Sequence, residues 1–401
     1  MASRLRWPEP PPTIRRWLPQ PDGPITPPAS TSRLHDDRLA ARLGIALAVT
    51  FTICFLTGLW SHLQQDPPTW LAIPARPAGL YRITQGLHVI TGLASVPLLL
   101  AKLWTVWPRF VQWPAFGTLP QALWRIALLP LVGGSLFLLA TGTANIAGWY
   151  PWTFDFRKAH FAASWLTMGG LLVHVAAVAG ISATALRRKL KNDSADDLDD
   201  SPDGRLSRRG FLGVVGAAAG VVTVTTAGAT VGPLRGLSVL ATRDPGVGPQ
   251  GIPVNRTAAD AGTREVDLDA FRLRVEGKVA NPLVLTYAEL LAMATRTATL
   301  PITCVEGWSA SAAWRGVPLR DLLRRAGAEP DAEVVVVSLE QRGAYRTSEV
   351  GRDHALDPET LLATHLNGDT LDPDHGFPLR LIAPNRPGVL QTKWVTMIEV
   401  R

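Results

Sequence analysis

The chain has 401 residues, 47% of them hydrophobic and 18% charged, with a formal net charge of +7. That length exceeds one average domain, and the composition is uneven: Leu, Ala and Trp concentrate in the first half, while the second mixes charges, Pro and alternating apolar positions. The two cysteines, Cys54 and Cys304, fall in different halves and exclude a disulfide framework. Lys and Arg cluster beside apolar runs with no basic stripe interleaved with aromatics, which argues against nucleic-acid binding.

Residues 1–38 are rich in Pro, Arg and Trp without periodicity, and read as a disordered cytoplasmic tail, not a cleavable secretion signal. Within residues 39–190 come the apolar runs Leu39–Trp60, Ile83–Trp107, Trp124–Ile146 and Ala159–Leu186. Each has the roughly 20 residues a helix needs to cross a bilayer, so an all-α, four-helix membrane bundle is expected. Arg42, Lys102 and Arg125 sit near the ends, where long side chains snorkel, and Trp60, Trp104, Trp107, Trp124 and Trp165 include interfacial belt residues. Basic residues before the first run (Arg33, Arg38, Arg42), in the second connection (Lys102, Arg109, Arg125) and after the fourth run (Arg187, Arg188, Lys189, Lys191) place the N-terminus on the cytoplasmic side. Residues 191–206 form a polar, acidic linker.

Ser207-Arg208-Arg209-Gly210-Phe211-Leu212 then opens a Gly/Ala/Val/Thr run to about Leu234, expected as a fifth transmembrane helix over residues 207–234. The Arg pair reads either as ordinary positive-inside flanking or as a twin-arginine-like export signal in mid-chain. The preceding Ser, the following Phe-Leu and the weak hydrophobicity of the run favour the second. That route carries folded cargo, so the domain beyond is expected to take up a cofactor before crossing. Ala227-Gly228-Ala229 has the pattern of a cleavage site, but cutting there would detach the C-terminal domain from its bundle, and an uncut tether is expected.

From Arg235 the chain turns to short strand-like runs, among them Phe271–Val275, Glu333–Leu339 and Pro378–Ala383, between helix-like segments Tyr287–Ala294 and Leu319–Ala326. Thr286 with Glu289 three residues on has the form of a capping box. Residues 245–401 are therefore expected to form a separate α+β domain.

Three segments of that domain carry a resemblance: Gly251-Ile252-Pro253-Val254-Asn255, Thr303-Cys304-Val305-Glu306-Gly307-Trp308, and Gly376-Phe377-Pro378-Leu379-Arg380-Leu381 leading to Lys393-Trp394-Val395. In this order they resemble the molybdopterin-binding domain of the sulfite oxidase family, most of all the branch that includes the catalytic subunit of periplasmic methionine sulfoxide reductase. The resemblance implies Mo-molybdopterin as cofactor, with Cys304 as the molybdenum ligand and catalytic centre; a thiolate is a soft ligand suited to a redox metal. A buried inert cysteine is the commoner fate of a lone Cys, and the motif around Cys304 reverses that expectation. Arg380 and Lys393 match positions that meet the pterin's phosphate. Asn255, Ala258 and Ala259 match the early pterin contacts, and Ser338, His375, Gln391 and Thr392 the later ones. Asn255 also reads as a turn residue and His375 as a loop histidine. Arg315 and Arg346 read equally as anion contacts or as solvated surface residues. Sulfite oxidases proper continue into a sandwich-like dimerisation domain, whereas this sequence stops at Arg401, which favours the reductase-like branch.

His88 in the second run and His160 opening the fourth share the outer leaflet with His62, and His174 lies further along the fourth. Intramembrane histidines are costly and usually functional, and the layout resembles four-helix membrane cytochromes of the b type. It implies haem b on His88 and His160; the alternative is packing at the interface, to which His62 is most exposed. No second histidine matches His174 in depth, which disfavours two haems.

The expected function is a membrane-anchored molybdenum-dependent oxidoreductase outside the cytoplasmic membrane, transferring an oxygen atom and two electrons. The substrate would be a small oxyanion, S-oxide or N-oxide, with electrons exchanged through the bundle with a quinone or other membrane partner. The alternative is a membrane electron-transfer or sensory protein whose molybdopterin-type fold holds no cofactor. A transporter is disfavoured, since the spans show neither paired carboxylates nor an inverted repeat.

Overall fold

A computed structural model describes residues 34–110, 119–187 and 206–401, except 264, 342 and 344. Most of the expected tail and linker therefore lies outside the described residues. Among the described residues, five helices are long and apolar enough to cross a membrane: α1 (Asp37–Gln65), α2 (Leu80–Phe110), α3 (Leu119–Ile146), α4 (Phe156–Arg187) and α5 (Arg208–Ala227). The fifth ends at Ala227, short of the expected Leu234: the Gly228 N–H leaves the helical ladder for Ser238 Oγ at 2.6 Å, and Pro233 then sits at the start of a 3₁₀ turn over Gly232–Leu237. Ser207 caps α5, accepting from the Gly210 N–H at 3.0 Å.

Two compact units divide the chain, and the boundary cuts across the helices. The first takes Ala94–Thr141, Asp155–Gly220 and the chain up to Phe51. Inside it Leu39 and Leu43 pack with Ala101 and Val215. Hydroxyls that have no water to meet bond back along their own helices, as Thr105 does to Ala101 O at 2.8 Å and Thr167 to Ala163 O at 2.8 Å. Lys102 Nζ turns to Ala40 O at 2.5 Å, so this cation is satisfied by a carbonyl within the unit.

The second unit takes Thr52–Leu93, Gly142–Phe154 and Val221–Arg401. Its mixed part runs α6 (Ala258–Ala261), β1 (Arg272–Gly277), β2 (Leu283–Thr286), α7 (Tyr287–Met293), β3 (Arg296–Thr303), β4 (Ser309–Pro318), α8 (Leu319–Ala326) and β5 (Val334–Ser338). It continues through β6 (Thr347–Val350), α9 (Arg352–Leu356), β7 (Leu361–Leu366), β8 (Asp369–Thr370), β9 (Arg380–Ile382) and β10 (Val395–Val400). One sheet has the order β2-β1-β10-β5-β6, with β1 and β10 parallel; the other has β3-β4-β7-β8, with β9 also on β7. In α8 the periodicity decides the face: Leu319, Leu322, Leu323 and Ala326 are buried while its arginines point away, and Gly327 closes it at φ +70°. The Thr286–Glu289 capping box forms as expected. Val-rich β5 and β10 are buried with Leu273, Leu290, Leu322 and Leu381 in one core.

The second core gathers Ile252, Leu300, Cys304, Trp308, Trp314 and Leu361, and is completed by Ala78 from the α1–α2 connection and Ala229 from beyond α5. Asn385 ties this connection down. Its Oδ1 accepts from Tyr81 N at 2.8 Å, supplying the start of α2 with a cap from outside the helix, and from Gln64 Nε2 at 3.4 Å. Its Nδ2 donates to Pro74 O at 2.7 Å and its N–H to Ala78 O at 3.0 Å. Arg76 pairs with Asp357 at 2.8 Å and Glu359 at 2.7 Å. Asn385 also sits at φ +48°, a region Asn tolerates better than Ala. Asn385→Ala should therefore cost about 3 kcal/mol through orphaned buried groups and backbone strain, read as a lowered unfolding midpoint of the detergent-solubilised protein.

Candidate active site

Cys304 lies in the turn that joins β3 to β4. The Cys304 N–H donates to Trp308 O at 2.9 Å and the Gly307 N–H to Cys304 O at 3.1 Å, closing the turn. Gly307 takes φ +90°, and a side chain there would meet Val89 of α2 at 2.9 Å, so both conformation and space call for glycine. At the turn's base Thr303 and Ser309 pair in register and their hydroxyls bond at 2.8 Å.

Cys304 is 2% exposed. Burial, with the nearby Glu306 charge, pushes the thiol up to about 12, while the Glu306 N–H, donating to the sulfur, pulls the other way. The group is thus a protonated thiol at neutral pH until a cation displaces the proton. Asn255 Nδ2 lies 3.9 Å from Sγ. Glu306 accepts from Trp308 Nε1 at 3.2 Å and pairs with Arg243 at 3.2 Å.

The expected pterin residues divide into two groups. Ala258 opens α6, its N–H donating to Asp374 Oδ1 at 2.7 Å, and packs against Trp394. Lys393 Nζ donates to Asp374 O at 2.7 Å and Arg256 O at 2.8 Å, and Ser338 Oγ donates to Lys393 O at 2.8 Å. His375, 1% exposed, bonds Pro249 O through Nε2 at 2.7 Å, and its own carbonyl receives Arg380 at 3.1 Å. Arg380, itself 2% exposed, lies over the Trp314 ring with its Nε unpartnered. These residues are brought together. Gln391 instead turns to Arg386 O at 2.9 Å, Thr392 to Ser348 at 2.6 Å, and Ala259 is on the exposed side of α6. Arg315 bonds Ala294 O at 2.8 Å and Arg346 bonds Glu340 O at 3.0 Å, so each holds a backbone carbonyl.

Burial and the neighbouring Arg380 charge lower Lys393 to about 7, and burial alone lowers Arg380 to about 10. Burial and Arg380 lower His375 to about 4, leaving it neutral at neutral pH. Two cations crowded out of water, one with an unpartnered N–H, suit an anionic group such as a phosphate between them.

The sequence did not single out Gln85, Asn145, Tyr150 and Arg243, all close to the Cys304 turn, and showed Glu306 only as part of the motif around Cys304. The signal for the first two was present: amide side chains inside otherwise apolar spans need a buried partner. The expected haem residues are each held through Nδ1. His88, in the second unit, meets Cys54 O at 2.9 Å, and His160, in the first, meets Thr141 Oγ1 at 3.2 Å. Cys54 O only accepts, and the Thr141 hydroxyl donates to Phe137 O at 2.7 Å, so each Nδ1 is placed as a donor.

Residues 260–401 match the family model described as the oxidoreductase molybdopterin binding domain. The chain is 36% identical to the putative protein-methionine-sulfoxide reductase subunit YedZ1 of Azospira oryzae, over 37% of this chain and 56% of that protein. It is 30% identical to the protein-methionine-sulfoxide reductase catalytic subunit MsrP of Xanthomonas axonopodis pv. citri, over 37% of this chain and 49% of that one. It is also 30% identical to the mitochondrial sulfite oxidase of Drosophila melanogaster, over 34% of this chain and 28% of that one. The chain thus spans about half the length of the first two relatives.

Lys393 sets a pH dependence. Its folded-state value of about 7 lies below the ordinary 10.5, so the unfolded chain binds more protons between these values. Stability of the cofactor-free protein should be highest above the ordinary value and fall as pH drops towards 7. Urea midpoints across that range check it: Lys393→Met should lose the slope, and cofactor loading should flatten it.

Proposed function

Residues 260–401 belong to the oxidoreductase molybdopterin-binding domain family, and from that premise we propose that the chain is a membrane-anchored molybdenum enzyme reducing an S-oxide outside the cytoplasmic membrane. The observation that carries the proposal is Cys304: one thiol buried in a tight turn, with Lys393, Arg380 and His375 gathered nearby. Among the described residues no group of three His, Cys, Asp or Glu is placed to hold a metal. A metal at Cys304 would thus bring most of its ligands with it, as one chelated by an organic dithiolene does. Bound in this way, molybdenum supplies two-electron oxygen-atom transfer.

The chain's own residues would do the rest. Cys304 gives up its proton on ligation and anchors the metal, with the Glu306 N–H stabilising the thiolate. Arg380, charged at neutral pH, and Lys393, which an anion would return fully to its ammonium form, receive the phosphate of the pterin. Ala258 lets the backbone of α6 approach closely, and Asn255 sits beside the sulfur. Relatives named as methionine-sulfoxide reductase subunits support an S-oxide substrate over a small oxyanion or N-oxide.

In this proposal the five helices anchor the enzyme with the N-terminus cytoplasmic, by the distribution of Lys and Arg. Ser207-Arg208-Arg209 serves as a twin-arginine-like export signal, and electrons come from a membrane quinol or another membrane carrier. The layout of His88 and His160 along the sequence supports haem b, and each offers Nδ1 to a carbonyl or hydroxyl, as a ligating imidazole characteristically does with its other nitrogen.

Elemental analysis and a reduced-minus-oxidised optical spectrum of the protein from its native membrane test this. The expected result is near-stoichiometric molybdenum, loss of S-oxide reduction by at least about a thousandfold in Cys304→Ser, and a haem band that disappears with His88→Ala. Molybdenum-free protein from a host with intact cofactor synthesis would overturn the proposal. Molybdenum without a haem band would leave the enzyme and remove the relay.

A further inference from the structure

One backbone oxygen in the Cys304 turn is gripped by two side chains from the membrane-helix segments of the second unit. Gln85 of α2 donates Nε2 to Val305 O at 3.4 Å, and Asn145 of α3 donates Nδ2 to the same oxygen at 3.0 Å. A carbonyl oxygen only accepts, so both amides must turn their NH₂ groups to it. Each amide oxygen then meets a hydroxyl donor on the far side. Ser61 Oγ donates to Gln85 Oε1 at 3.2 Å, and the Tyr150 hydroxyl donates to Asn145 Oδ1 at 2.9 Å. Two independent hydroxyl–amide pairs thus converge on one acceptor. Further along the turn Thr230 Oγ1 donates to Gly307 O at 3.2 Å, and the Ser309 N–H donates to Ala229 O at 2.8 Å.

The peptide unit gripped in this way is the one that reaches the sulfur. Val305 C=O and Glu306 N–H belong to a single planar group and point in opposite directions. Donors pulling on the oxygen from the helix side fix the direction of the N–H, which faces Cys304 Sγ. They also polarise the unit, which strengthens the N–H as a donor. In a solvent-facing hairpin, water would occupy the oxygen and leave the plane free to tilt.

We propose that Asn145 and Gln85 are positioning residues for Cys304, acting through the Val305–Glu306 peptide to hold an N–H on the metal-ligating sulfur, with Tyr150 and Ser61 orienting them. The inference rests on the assignment of Cys304 as molybdenum ligand. It makes the ligand geometry a joint product of the soluble domain and the membrane helices.

Asn145→Asp keeps an acceptor for Tyr150 and removes the donor to Val305; Tyr150→Phe removes only the orienting hydroxyl. Arg82→Ala, which deletes a 2.8 Å bond to Ser311 away from the turn, is the control. Each full-length protein is assayed for molybdenum content, for the electron paramagnetic resonance spectrum of its Mo(V) form, and for kcat and KM with a reduced viologen dye and an S-oxide. The expected result is retained molybdenum, displaced Mo(V) g-values and kcat lowered about tenfold in both test variants with KM within about twofold, while the control matches the parent. Test variants with molybdenum, spectrum and kcat of the parent would overturn the proposal. If Asn145→Asp does not fold, Tyr150→Phe decides. A parent protein lacking molybdenum would refute the assignment of Cys304 itself, an outcome distinct from parent-like variants.

Discussion

A sulfur buried in an apolar cluster keeps its proton until a cation arrives, and the second unit is organised around that condition. Cys304 is enclosed by Trp308, Trp314 and aliphatic residues that raise the cost of a bare thiolate. The same enclosure that makes the free thiol inert makes a metal–thiolate bond favourable, because coordination cancels the charge that the surroundings cannot solvate. Lys393, Arg380 and His375 obey a parallel rule on the other side of the site: burial holds each towards its neutral form, and the Arg380 charge adds to the effect on Lys393 and His375. An anion entering there and a cation at the sulfur would relieve both costs.

This condition also accounts for how the turn is held. A polar backbone loop inside apolar surroundings needs every carbonyl met, and the nearest donors are on or just beyond the ends of the long apolar helices. Gln85, Asn145 and Thr230 meet that need. Asn385 and Arg76 bind the helix connection to the β-sheet domain from a different direction. The mixed domain is therefore not a separate body on a string: its second core has Ala78 and Ala229 from the flanking segments built into it.

Much of this could be read in the sequence, for reasons that differ between elements. The five apolar helices were legible because the bilayer sets a length and a composition, and α8 because its leucines recur at helical spacing. Strand β5 stood out as a Val-rich run. Strands β3 and β4, which carry the turn, did not: Thr, Ala and Ser dominate them, and their pairing with each other and of β4 with β7, rather than their own pattern, makes them strands. Of the site, Cys304, Arg380 and Lys393 were visible through motif resemblance. Asn145 showed only as an amide inside an apolar span and Tyr150 not at all, because their relation to Val305 exists only once segments far apart in the chain meet.

The segment after α5 has a further consequence. Gly228 donates to Ser238 Oγ at 2.6 Å, Ala227 is 3% exposed, and Ala229 lends its carbonyl to the edge of β4. A protease must draw several residues into an extended strand within its own cleft, and here those residues are already committed to their neighbours. In the folded chain the small-residue pattern Ala227-Gly228-Ala229 is thus shielded from processing by the domain that processing would release. Folding would preserve the connection, and a chain intercepted while unfolded would be open to losing it.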